Sequence, residues 1–156
     1  MALHERYIRA GDSGKVEGES VFASMAQLAH MTAGAVAKEW EGLVAIDDEL
    51  VAYIDTLRDN NKVALCSNAW ESFIRPILVS HDLERRFDAI VVSSEVGSTK
   101  PDPRIYLHTA HLLGAEPEAC VFIDDGHANV AGAERVGMRG IRYQSLAQLQ
   151  AALSTL

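Results

Sequence analysis

The stretch Cys120-Val121-Phe122-Ile123-Asp124-Asp125-Gly126-His127-Ala128-Asn129 sets an apolar run directly against two adjacent carboxylates. A short apolar run bounded by polar residues predicts a buried strand, here Cys120 to Ile123. Like charges side by side repel, and each resists leaving water. A hard cation such as Mg²⁺ relieves both costs, because it takes oxygen ligands and keeps several waters. The purely structural account gives one aspartate to capping the next helix and the other to solvent.

Working outward, the same signature recurs. Val63 to Cys66 and Ala89 to Val92 are apolar runs, and Gly140 to Tyr143 is a fourth strand by pattern. Helices are predicted between them. Leu50, Ile54 and Leu57 share one helical face, with Asp47 or Asp48 as cap and Asn60-Asn61 as stop. Trp70 to Val79 is helical in character, with Pro76 expected to bend it or to sit in its first turn. Pro103 to Leu113 has Asp102 as cap and Gly114 as stop. Ala128 to Val136 ends at Gly137, and Ser145 caps a last helix through Leu153. Strands alternating with helices imply right-handed crossovers and a mostly parallel sheet, an α/β fold. Continuous apolar strands imply that both sheet faces are covered.

The organisational break falls near residue 46. Before it the chain reads as helical, with Val21-Phe22, Met25, Leu28-Ala29 and Thr32 at helical spacing. Gly11-Asp12-Ser13-Gly14-Lys15 has neither the glycine spacing nor the hydroxyl of a phosphate loop, so it reads as a turn before a helix.

Ligands of open α/β sheets collect at the carboxyl ends of the strands. Ser67-Asn68 follows the first predicted strand and can donate to a phosphate oxygen, or simply cap the next helix. Lys100 follows the second, in Gly97-Ser98-Thr99-Lys100-Pro101-Asp102-Pro103, where two prolines define the loop-to-helix turn. A lysine held there can neutralise a phosphoryl group, whereas most single lysines are solvated.

The composition limits the partners. The chain has 156 residues and a net charge of −8, from 22 acidic and 14 basic side chains. No run of Lys or Arg marks a nucleic-acid surface. No apolar stretch is long enough to cross a bilayer, and Met1 to Ala10 carries no signal-peptide core. Cys66 and Cys120 lie in apolar runs, so core residues in a reducing cytoplasm are expected rather than a disulfide. His108 and His111 share a helix face without a further ligand at metal spacing. His127 reads as a loop residue, and Trp40 and Trp70 as packing or pocket wall.

The words Leu65-Cys66-Ser67-Asn68, Lys100-Pro101-Asp102-Pro103-Arg104-Ile105-Tyr106 and Val121-Phe122-Ile123-Asp124-Asp125, with Asn129-Val130 and Gly137-Met138, resemble the second, third and fourth motifs of the haloacid dehalogenase-like hydrolases. The doubled aspartate with Asn129 is most similar to the branch containing the phosphatase domain of soluble epoxide hydrolases. The resemblance implies a Rossmann-like core over 47–156 and a helical cap segment over 1–46. It implies Mg²⁺-dependent hydrolysis of a small phosphorylated metabolite. Ser67 and Asn68 would hold phosphoryl oxygens, and Lys100 would stabilise charge there. Asp125 would be the main Mg²⁺ ligand, Asp124 would orient Lys100 or a metal-bound water, and Asn129 would support the loop.

The sequence departs from that family in one respect. The first motif, a strand ending Asp-x-Asp whose first aspartate attacks phosphorus, has no counterpart here. Without it, turnover is expected to be almost nil, and the central strand of the sheet is missing. Three accounts follow: a sequence that starts late, a shortened form that binds without catalysing, or an exchanged dimer that closes the sheet. Open strand edges would favour such self-association.

Overall fold

A computed structural model describes residues 18–156 of the chain. The turn expected at 11–15 lies outside them. The helical segment comprises α1 (Gly18–Ala29) and α2 (Ala33–Gly42), which pack against one another. His30, at φ 55°, turns the chain after α1, and Met31 N–H donates to Ala26 O at 2.9 Å. The buried face runs through Ala26 and Val36 with Met25 of the expected stripe packed beside them, but Leu28 is 61% exposed, and Ala29 and Thr32 also face solvent. The chain leaves the helical path at His30, so the far end of the predicted stripe has no partner.

The α/β part begins with α3 (Asp48–Leu57), β1 (Ala64–Ser67) and α4 (Glu71–Ser80). It continues through β2 (Ala89–Val92), a short α5 (Ser93–Val96), α6 (Pro103–Leu113), β3 (Val121–Asp124), α7 (His127–Glu134), β4 (Arg139–Arg142) and α8 (Leu146–Leu153). Asp47 caps α3 by accepting from Leu50 N–H at 3.0 Å. Asn61 Nδ2 donates to Leu57 O at 2.9 Å, so the expected stop acts through its side chain. Asp102 accepts from Arg104 N–H at 2.9 Å, and Gly114 at φ 64° ends α6. Ser145 accepts from Gln148 N–H at 3.2 Å at the start of α8.

Several boundaries differ from those expected. Pro76 lies inside α4 rather than in its first turn. α7 stops at Glu134, because Val136 N–H and Gly137 N–H bond three residues back, which tightens the last turn. β1 and β3 extend one residue further than predicted, so Ser67 and Asp124 are the last residues of their strands.

β1 runs parallel to β2, with Ala64 opposite Ala89 and Ser67 opposite Val92. β3 runs parallel to β4, with Val121 opposite Arg139 and Asp124 opposite Arg142. Among the described residues these two pairs are separate sheets, so β1 and β3 each keep one edge without a strand partner. Among the described residues β1 and β3 do not pair with one another, so the open edges expected from a missing central strand are present. The expected full coverage of the strands is correspondingly lost: all of β1 is only half-buried, and Val121 is exposed.

α6 ties the two pairs together. Its Ile105 and Tyr106 are completely buried among Val91 of β2, Ala133 of α7, and Met138, with Cys66 of β1 and Phe122 of β3 packed beside them. Burial of an Ile side chain this complete stabilises by about 1.5–3 kcal/mol. α1 and α2 rest on α4 through Ala26, Val36, Trp40, Trp70 and Phe73.

Candidate active site

The ends of β1 and β3 converge on one lysine. Lys100 Nζ donates to Cys66 O at 2.9 Å and to Asp124 Oδ2 at 2.7 Å. Only 10% of the Lys100 side chain and 7% of the Asp124 side chain are exposed, so this ion pair is shielded from solvent. The ammonium also sits 5.7 Å from the Phe122 ring centre, within reach of its negative face.

The backbone of Lys100 is fixed as well. Asn68 Oδ1 accepts from Lys100 N–H at 2.8 Å, and Asn68 Nδ2 donates to Lys100 O at 3.0 Å. The carboxamide thus mimics a paired peptide. That side chain holds Lys100 in place, a role the sequence reading did not assign to it. Ser67 is half-buried, and its hydroxyl makes no hydrogen bond among the described residues.

Asp124 is held from both sides. Its Oδ1 accepts from Gly126 N–H at 2.8 Å and from Asn129 Nδ2 at 2.9 Å, while Oδ2 receives Lys100. Burial works to raise the carboxyl pKa. The hydrogen bonds from Lys100 and Asn129, the Lys100 charge and the Gly126 N–H outweigh it and keep the group below the usual carboxylate range. A Cβ at Gly126 would come within 2.9 Å of Asn129 Nδ2 and 3.0 Å of Asp124 Oδ1, so a larger residue would have to displace these side chains.

Asp125 points the other way. It is exposed, its carboxylate has no partner among the described residues, and only its carbonyl is engaged, by Arg142 Nε at 3.2 Å. The two adjacent aspartates have therefore separated in role: Asp124 is committed to the protein, and Asp125 is available. Both Asp124 oxygens face donors, and the Asp125 carboxylate faces none among the described residues.

Sequence reasoning missed Ser93. It is fully buried at the end of β2, where its hydroxyl donates to Ala69 O at 3.1 Å and accepts from Ala69 N–H at 3.0 Å. Ser94 Oγ accepts from Glu71 N–H at 2.9 Å. Together they brace the turn that carries Ser67 and Asn68. The signal was a Ser-Ser pair at a strand end, the same signal that marks Ser67.

The remaining candidates lie elsewhere. His108, His111 and His127 are exposed. Among the described residues no three His, Cys, Asp or Glu side chains gather to hold a metal. Burial pushes the Cys66 thiol up against the pull of Lys100, which keeps it protonated and a poor nucleophile. Trp70 is 3% exposed, with ring centres 5.8 Å from Trp40 and 5.6 Å from Phe73, so it joins the helical segment to α4.

A serine, a lysine and an aspartate pair at the ends of parallel strands define a hydrolase of the haloacid dehalogenase-like class. The chain belongs to that family: the model of the haloacid dehalogenase-like hydrolases matches residues 8–137. It is 37% identical over 81 residues to a glyceraldehyde 3-phosphate phosphatase of Methanopyrus kandleri, covering 51% of this chain and 33% of that protein. It is 31% identical over 99 residues to phosphoglycolate phosphatase 1 of Pseudomonas aeruginosa, covering 61% and 36%. It is 36% identical over 78 residues to bifunctional epoxide hydrolase 2 of Rattus norvegicus, covering 47% and 14%. The matched stretches thus span about a third or less of these relatives. A HAD-like family hydrolase from Porphyromonas gingivalis superposes with a TM-score of 0.80 at 28% identity, covering 94% of this chain and 76% of that one. A HAD family enzyme from Bacteroides thetaiotaomicron, in complex with magnesium and inorganic phosphate, superposes with a TM-score of 0.76 at 19% identity, covering 90% and 78%.

Proposed function

We propose that this chain carries the phosphoryl-holding and cation-holding part of a Mg²⁺-dependent phosphatase site for small phosphate esters. The observation that carries the reading is the Lys100 ammonium, anchored by Cys66 O and Asp124 Oδ2 at 2.9 and 2.7 Å. An ammonium has three protons, so one remains for a phosphoryl oxygen. The unengaged Ser67 hydroxyl at the end of β1 is a second donor.

The donor set suits magnesium in one particular way. Mg²⁺ is commonly held by one or two carboxylates together with phosphate oxygens and waters. Asp125 offers one free carboxylate, which fits an ion that arrives with phosphate rather than a bare-ion site. When bound, the ion would neutralise phosphoryl charge. Lys100 does the same from the protein side, and Asp124 keeps Lys100 pointed.

The sequence has no Asp-x-Asp, so the residues that hold a phosphoryl group have no aspartate of that motif to attack it. Binding without turnover is the expected behaviour of this chain. The edges of β1 and β3, unpartnered among the described residues, favour a second reading, a non-catalytic binding protein that self-associates through them. The two unbridged cysteines fit a reducing cytoplasm.

Calorimetry with inorganic phosphate tests the main reading. Phosphate should bind with Mg²⁺ present, fail to bind in EDTA, and fail to bind to Asp125→Ala. p-Nitrophenyl phosphate should not be hydrolysed. Absence of phosphate binding by folded protein in Mg²⁺ would overturn the reading. Turnover that disappears in Asp125→Ala would keep the site but reveal another nucleophile.

A further inference from the structure

The Lys100–Asp124 pair joins two segments of the chain, and a buried tyrosine shared by both governs how those segments meet. Tyr106 lies in the first turns of α6, six residues after Lys100, and is completely buried. Its hydroxyl donates to Asn129 O at 2.8 Å, in the first turn of α7. The side chain of that same Asn129 donates to Asp124 Oδ1 at 2.9 Å. The Tyr106 ring stands edge-on to Phe122 at 5.0 Å, and Phe122 is the ring beneath the Lys100 ammonium. Burial pushes the phenol pKa far above its ordinary value, so the hydroxyl remains a neutral donor at any pH the protein tolerates.

Close contact makes the arrangement specific. A Cβ at Gly132 would fall 2.6 Å from Tyr106 Oη and 2.8 Å from Pro101 Cβ. α7 therefore lies directly on the Lys100-Pro101 turn, with Tyr106 between them. Its position on the turn sets the separation of the Lys100 segment from the Asp124 segment.

We propose that Tyr106 is a positioning residue of the site: through Asn129 it orients the Asp124 carboxylate toward Lys100, and through Phe122 and Gly132 it spaces the two segments. The inference rests on Lys100 and Asp124 being the site proposed above. It goes beyond that reading by assigning a role to a side chain that touches no substrate.

The test combines a spectroscopic signature with binding. In ¹⁵N-labelled protein, the Lys100 ammonium resonance is identified by its loss in Lys100→Arg, and the Asn129 side-chain amide by its loss in Asn129→Ala. Tyr106→Phe keeps the ring and removes the donor. Both resonances should shift or broaden in Tyr106→Phe and in Gly132→Ala. Both should stay in place in Ile77→Val, a core trim on α4 outside the cluster that buries Tyr106. Phosphate affinity in Mg²⁺ should fall about fivefold in Tyr106→Phe, the equivalent of one ordinary hydrogen bond. Unchanged resonances in Tyr106→Phe would overturn the proposal, as would equal shifts in Ile77→Val. Shifted resonances in a protein that binds no phosphate would leave Tyr106 its role and remove the phosphatase reading instead.

Discussion

Lys100 Nζ and Asp124 Oδ2 lie 2.7 Å apart although 24 residues separate them, and both side chains are almost wholly withdrawn from solvent. Such a pair is costly to form and more costly to break, because removing one partner leaves a buried charge uncompensated. Lys100→Ala or Asp124→Ala should each lower stability by about 3 kcal/mol. The double variant Lys100→Ala/Asp124→Ala should cost clearly less than the sum of the two single changes. Urea titration of the four proteins gives the coupling, and additive losses would show that the pair is not energetically linked.

Acid should weaken the α6 cap. Arg104 holds the Asp102 carboxyl down at about 2, from an ordinary value of 3.8, with help from the Arg104 N–H. A depressed folded pKa adds stability that is complete above the unfolded value and is lost as pH falls toward 2. Stability should therefore decline between about pH 4 and pH 2. Asp102→Asn keeps a capping oxygen but cannot titrate, so its acid limb should be shallower. Circular dichroism during acid titration measures both curves, and identical limbs would contradict the assignment.

The helical segment should depend on one indole. Trp70 packs on Trp40 and Phe73 at the start of α4, beside the Ser67-Asn68 turn. Trp70→Ala should cost at least about 3 kcal/mol. Hydrogen exchange should then rise in α1 and α2 before it rises in α6. Uniform loss of protection would show that the two parts do not separate.

Exposed strand edges should associate. β1 and β3 each present one unpartnered edge among the described residues. Such edges recruit other strands unless they are blocked. Light scattering should show mass rising with concentration, and a charged substitution at Val121, the exposed residue of β3, should reduce it. A concentration-independent monomer would set the self-association reading aside.

Much of this architecture was legible locally. α6 follows from Asp102, Pro103 and Gly114, since a cap, an N-terminal proline and a left-handed glycine act on their immediate neighbours. β2 follows from an apolar run of four with turn signals on both sides. The family motifs at Ser67, Lys100 and Asp124-Asp125 were visible for the same reason, because each is a short word. The burial face of α1 was legible only at Met25, since the rest depends on where α2 and α4 lie.

By itself the sequence determined the alternation of strands and helices, their caps, and the chemical types at the strand ends. Those features arise from interactions over a few residues. The tertiary structure alone decided that Asn68 pairs with the Lys100 backbone, 32 residues away, and that Lys100 reaches the Cys66 carbonyl across 34. It also brought Asp124 against Lys100, the pairing that the family resemblance implied, across 24 residues. Alternation along the end of β3 turns Asp124 toward Lys100 and Asn129, and leaves Asp125 facing outward.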